Sequence, residues 1–316
     1  MSITHNNVHV NRPLSNLSIA YMSEDPSIAD RVFPKIPVKK QSDRYWIYSL
    51  ADFNRSNVAT RAPATESAGA TWAVSDDTYF CDPYALHIDT PYEVEGNEDA
   101  PLDVDRDNVA FLTSQMKLKD DIQWAADYFT TGIWTGGTTG TDIVPGTKWN
   151  AANSTPIVDI RAQKRSMHTK VGRFPNTLVI GGIVWEALQD NADFLDRLSG
   201  DERKLMTTDI LARILEIDRV IVADMMQVTS AEGAAATTTA EIFGERALLL
   251  HVAKRPGLRT PSAGYKFTWK VPRIGDMTIK KMDMPLKNAE RMEIQTFYDN
   301  KVVAADLGVL FDNVLT

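Results

Sequence analysis

The stretch RVFPKIPVKKQSDRYWIYSLADFNR, Arg31 to Arg55, restricts the possible folds more than any other part of the chain. Pro34 and Pro37, three apart, hold the backbone extended and out of a helix. Trp46, Tyr48 and Leu50 then alternate as on a half-buried strand. A return strand is predicted from Trp72 to Ile88, where Tyr84, Leu86 and Ile88 alternate. Between the two lies ADFNRSNVATRAPATESAGAT, small and polar, with Pro63 and Gly69. Such a tip has too little apolar surface to fold alone. A long loop with no structure of its own is also unusual inside a compact domain. The spacing predicts a long hairpin whose tip is ordered by another molecule.

The hairpin is acidic. Residues 41–105 hold thirteen acids against three bases, Arg44, Arg55 and Arg61. Residues 251–291 reverse this, with ten bases against three acids. Two solvated faces are the plain reading of such runs. The sharper reading is that the acidic hairpin of one copy lies across the basic sheet of the next, at Lys266, Lys270, Lys280, Lys281, Lys287 and Arg291. Overall the 316-residue chain carries a net charge of −8, so it has no general basic footprint for nucleic acid. Its single cysteine, Cys81, excludes an internal disulfide and fits a reducing compartment. The start, MSITHNNVHV, lacks the pattern of a secretory leader, and no run of about 18 apolar residues suggests a membrane span.

The clearest helix runs from Arg106 to Phe129. Asp103 and Asp105 offer capping oxygens, and Val109, Leu112, Met116, Ile122, Ala126 and Phe129 form one apolar stripe. Lys117, Lys119, Asp120 and Asp121 fall off that stripe, and Gly132 ends the helix. A small unit of alternating helices and strands follows. Its helices are predicted at 157–172, 183–198 and 207–215, the last capped by Thr208, and its strands at 176–182, 219–224 and 245–253. The last sixty residues read as two hairpins, one turning at Arg273–Gly275 and one at Asp299–Asn300.

Catalytic chemistry is scarce. His5, His9, His87, His168 and His251 are scattered, and no Cys, His and Asp cluster has metal-ligand spacing. GGTTGTD follows a helix and lacks the lysine of a phosphate loop; VIGG is an incomplete dinucleotide turn. Cys81 has no histidine near it in sequence. The reading is a protein that is not an enzyme, with no cofactor and no metal.

The order of these elements resembles the major capsid proteins of tailed bacteriophages, which have the Hong Kong 97 fold shared by encapsulin shells. RVFPKIPV closes an extended N-terminal arm, the hairpin corresponds to the E-loop, and Arg106–Phe129 to the spine helix. PNTLVIGGIVWEALQDNADFLDRL marks the A-domain, GERALLLHVAKRP leads out of it, and MEIQTFYDNKVVAADLGVLFDNV closes the chain. The resemblance covers nearly all of the sequence and rests on order and length rather than on one motif. It implies an α+β chain: arm 1–40, E-loop 41–90, P-domain 91–155 with the spine helix, A-domain 156–258, P-domain strands 259–303 and a C-terminal strand 304–316.

The resemblance further implies hexamers and pentamers closing an icosahedral shell around packaged DNA, within a virion assembled in the host cytoplasm. A separate scaffolding protein, a portal protein and a decoration protein are the implied partners, with no membrane and no sequence-specific nucleic-acid contact. The arm begins by Val32, so no scaffold domain fused to the chain is expected. No lysine lies between Lys40 and Lys117, so no cross-link from the hairpin tip is expected either. Phe33, Trp46, Tyr48, Arg55, Arg61 and Trp72 would be interface residues, completed by another chain. An encapsulin-like compartment is the alternative, and a soluble α/β enzyme the third reading, which would need a convergent polar site.

Overall fold

A computed structural model describes residues 27–48, 56–96, 103–198, 206–231, 233, 238–257, 260–270 and 277–316. Helix α1 (Ile28–Val32) is capped by Ser27 and runs into strand β1 (Lys35–Val38). Strands β2 (Ser42–Tyr48) and β3 (Val74–Phe80) form an antiparallel ribbon, and β4 (Asp82–Pro91) continues from it after Cys81. A helical turn, α2 (Tyr92–Glu95), precedes the long helix α3 (Val104–Tyr128). Asp103 caps α3 by accepting from the Arg106 amide at 3.0 Å, as the sequence leads one to expect.

Two sheets organise the chain. The first joins β1, β10 (Gly264–Trp269), β12 (Ala289–Val302), β11 (Thr278–Met284) and β4. Strand β12 is its axis. Residues 289–295 pair with β4 and β11 at once, so those strands occupy opposite edges. Helix α3 lies on one face, packing Leu112 and Met116 on Met292 and Ile294. The second sheet has the order β13 (Gly308–Phe311), β9 (Ala247–Leu250), β5 (Thr177–Gly181), β6 (Arg219–Ala223). Alternation divides its residues cleanly. Leu178, Ile180, Leu249 and Val309 face helices α4 (Pro156–Val171), α5 (Gly182–Gln189) and α7 (Thr208–Leu215). Val179, Leu248, Ile221 and Leu310 face α1 and the end of α3. A two-stranded ribbon, β7 (Met226–Val228) with β8 (Thr239–Glu241), stands beside this sheet.

Several local expectations need correction. Strand β10 does not form a hairpin with β11; both pair with β12 instead. Asp299 and Asn300 make no turn: they lie in β12 opposite Phe267 and Lys266, their turn preference overridden by the sheet. The segment 183–198 is broken, because Asn191 caps a separate short helix α6 (Ala192–Leu195). Thr207, not Thr208, caps α7, with its hydroxyl accepting from Ile210.

The largest correction concerns α3. Its buried residues are Leu112, Met116, Asp120, Asp121, Trp124 and Ala125. Asp120 and Asp121 face the core, while Ala126 is exposed.

Candidate assembly interface

The β2–β3 ribbon has two unlike faces because successive side chains point opposite ways. Tyr45 and Tyr79 share one face and pack on Phe267, with ring centroids 5.3 and 4.7 Å away. Cys81 and Phe297 complete this cluster on the side of the first sheet opposite α3. Burial pushes the Cys81 thiol up to about 12, which leaves it without thiolate chemistry. The other face carries Trp46, Val74 and Phe80, which are 61%, 37% and 51% exposed. Trp72 and Val58, beyond the paired segment, are also exposed. Residues 56–73 are exposed throughout, and the turn from Ala62 to Thr65 closes on itself through the Thr65 amide and hydroxyl on the Ala62 carbonyl. The ribbon is thus fixed to its own subunit by one face and bare on the other.

Of the residues expected at an interface, Trp46, Arg61 and Trp72 lie on this exposed ribbon and tip. Arg55 and the Tyr48 side chain fall outside the described residues. Phe33 must be corrected. It is fully buried in its own subunit, edge-on to Trp124 at 5.6 Å and against Gly264, where an added Cβ would meet its ring at 2.4 Å.

The expected charge pairing also changes. Asp89 on β4 accepts from Lys287 at 2.8 Å and Arg291 at 2.6 Å within the same chain. Those bonds, Arg291 first, hold its carboxyl well below the usual range. Lys281 bridges Asp105 of α3 and Glu290 at 2.8 and 2.7 Å. The acidic and basic runs do face each other, but β4 lies directly beside β12, so much of the match is internal. Lys280 bonds the Gln295 side-chain oxygen, and Lys270 is exposed at the end of β10, so neither is paired with the hairpin's acids in the described residues.

Lys266 is not a surface base at all. It is 5% exposed and sits at the root of the arm, 2.8 Å from Asp30, 2.5 Å from Asp120 and over the Tyr298 ring at 4.4 Å. Asn300 donates to Asp120 at 3.0 Å. Ser27 donates to Asp121 at 2.9 Å, and the Ala29 amide donates to the same carboxylate oxygen at 2.9 Å. Burial works to raise Asp30, but Lys266 and Lys35 outweigh it and hold that carboxyl below its ordinary value. This cluster joins α1, α3, β10 and β12. Its signal was present in the sequence as an acid at every-fourth-residue spacing, Leu112–Met116–Asp120–Trp124.

The remaining motifs are structural. In GGTTGTD the Thr138 amide and hydroxyl bond Gln163, and Lys170 binds the Thr135 and Gly137 carbonyls. The glycines of VIGG are dictated by packing, since a Cβ on Gly181 would lie 2.0 Å from the Gly244 carbonyl oxygen. Among the described residues there is no grouping able to hold a metal ion, and no helix is long and apolar enough to cross a membrane.

The structure thus combines a buried charged base, an exposed ribbon, a long helix on one sheet and a second sheet with helices. No family model matches the chain. The major capsid protein of Burkholderia phage BcepMu is 22% identical over 312 residues, covering 95% of each chain. A phage-related protein from Bordetella bronchiseptica superposes with a TM-score of 0.69 at 16% identity, covering 92% of this chain and 93% of that one. The capsid protein of cyanophage P-SCSP1u superposes at 0.61 and 11% identity, covering 97% and 93%. The chain has the Hong Kong 97 capsid fold. An encapsulin complex from Synechococcus elongatus matches less closely, at 0.52 and 12% identity over 96% and 93%. The Burkholderia phage and cyanophage relatives are capsid proteins, and the mixed α+β architecture described above is consistent with their fold.

Proposed function

We propose that this chain is the major capsid protein of a tailed phage, and that its copies form the hexamers and pentamers of an icosahedral shell enclosing double-stranded DNA. One observation carries the reading: a ribbon face with Trp46 and Phe80 more than half exposed, and an exposed Trp72 just beyond the paired strands, while the opposite face packs on Phe267. A patch of this kind on a soluble subunit marks an interaction site. A neighbouring copy covers it in this reading, and Lys270 and Lys280 supply the charge that faces the ribbon's acids. Each exposed pair is worth only about 0–1 kcal/mol, so contacts of this kind leave assembly reversible until many act together.

A separate scaffolding protein, a portal and a decoration protein belong to the same reading, as do assembly in the host cytoplasm and a place in the virion. Electron microscopy of the expressed protein tests it. Icosahedral particles or capsomers are expected, and a small discrete oligomer overturns the proposal. Particles loaded with protein cargo rather than DNA would favour the encapsulin alternative. Detergent gels of particles are expected to show one band near 35.2 kDa, because the hairpin tip offers no lysine for an isopeptide bond.

A further inference from the structure

Three carboxylates meet at the root of the arm, and two lysines serve them. Lys266 reaches Asp30 and Asp120, and Lys35 reaches Asp30 at 3.0 Å. Asp121 has neither. Its partners are neutral, the Ser27 hydroxyl and the Ala29 amide, and both use Oδ1. Its Oδ2 is buried without a hydrogen-bond partner, and the whole residue is 0% exposed. The next residue in sequence, Asp120, is a second buried carboxylate, and the Ser27 hydroxyl lies within bonding distance of both. No metal-holding group exists among the described residues to neutralise the surplus. A buried carboxylate with no counter-charge is costly, and the usual remedy is a proton.

We propose that Asp121 is docked as the neutral acid, which makes the arm root a proton-operated latch: acid tightens the seating of α1 on α3, and alkali loosens it. The groups that face this junction are Ser27 and Asp30 from α1, Lys35 from β1, Lys266 from β10, and Tyr298 and Asn300 from β12. Asp120 and Trp124 complete it from α3 itself. None is a histidine, and Asp121 is the one carboxylate here whose partners are all neutral. Burial, the largest influence, pushes its carboxyl up to about 6, against the opposing Ser27 and Ala29 bonds. That value lies above the unfolded one of about 4. The seated form therefore binds a proton that the unseated form releases, and seating weakens as pH rises through about 6.

Hydrogen exchange of residues 27–33 in the full-length protein tests the latch, with rates corrected for intrinsic chemistry. Between about pH 7.5 and about pH 5.5, protection of wild type should rise about four-fold. Asp121→Asn keeps the Oδ1 acceptor and places a neutral donor where the proton would sit. Its protection should match or exceed wild type at the higher pH and stay flat. An equal pH response in both proteins overturns the proposal, as does an Asn variant less protected than wild type at the higher pH. If the Asn variant fails to fold, the wild-type profile decides, because a flat profile overturns the latch unaided. The measurement is made on unassembled protein, so it stands or falls independently of shell formation.

Discussion

Two ion pairs in this subunit have nearly the same chemistry and opposite meanings. Lys266 and Asp120 meet at 2.5 Å with side chains 7% and 5% exposed; Arg44 and Asp76 meet at 3.1 Å with side chains 71% and 37% exposed. The first pair joins the arm root, the long helix and the first sheet. The second bridges two strands of a ribbon already held by its backbone ladder. In water, an exposed pair gains little beyond the cost of ordering its side chains. Away from water, each charge depends on its partner, and removing one leaves the other stranded. Burial, not charge or distance, separates the pair that holds the subunit together from the pair that the solvent screens.

The comparison can be broken most directly at Lys266. Lys266→Ala leaves Asp120 buried without its cation and deprives Asp30 of one of its two. A loss of about 3–5 kcal/mol in subunit stability is expected, measured by urea unfolding of the unassembled protein. Arg44→Ala, the matched change on the ribbon, should leave the unfolding midpoint within error. Equal effects from the two substitutions would show that burial is not the deciding variable.

A smaller effect comes from pH, and it sharpens the contrast inside the junction itself. Asp121 is raised and Asp30 is lowered, so they push stability in opposite directions. The contribution linked to Asp121 grows as pH falls through about 6. Asp30 contributes above its unfolded value of about 4, and its contribution is lost as pH falls through its depressed folded value. Protection of α1 should therefore peak between about pH 4 and about pH 6. A profile that rises steadily toward neutrality would mean that Asp121 is charged in the seated arm.

Much of the architecture was legible because it follows from periodicity. Asp103 as a cap, the long helix, the alternating strands and the extended arm all carry local signals, and the whole-chain likeness to capsid proteins rests on their order. The errors fall where tertiary packing overrides a local preference. Asp299 and Asn300 have the chemistry of a turn, but 14 residues of β12 run straight through them because β4 and β10 supply partners. Asp120 and Asp121 fall off the apolar stripe, and their burial depends on partners remote in sequence: Lys266 and Asn300 for Asp120, Ser27 and the Ala29 amide for Asp121. Phe33 was assigned to a neighbour because the arm is extended, yet the gap at Gly264 that receives it cannot be read from spacing. The exposure of Trp46 and Trp72 follows from a local signal, the alternation of a strand beside a small polar tip, whereas the packing of Tyr45 and Tyr79 on Phe267 depends on a strand far along the chain.

The smallest expected effect on the subunit is the most telling for the ribbon. Trp46 and Trp72 are 61% and 59% exposed in the isolated subunit. Exposed side chains of this kind stabilise a fold little, and Trp46→Ala with Trp72→Ala should change subunit stability by no more than about 0.5 kcal/mol. Each ring nonetheless presents a large apolar area, of the order of 150–250 Å² when fully buried. At roughly 25 cal/mol per Å², covering it against a neighbour is the largest single gain the ribbon can make. The double variant should therefore unfold like wild type and yet fail to form particles, as read by unfolding in urea and by sedimentation of assembly reactions. Phe33→Ala is the opposite control, because that ring fills the subunit core: it should cost about 3–5 kcal/mol before any assembly is attempted. If the tryptophan variant assembles normally, the bare face is not an interface. If it unfolds early, the ribbon supports its own subunit after all, and the division between the sealed root and the open ribbon must be redrawn.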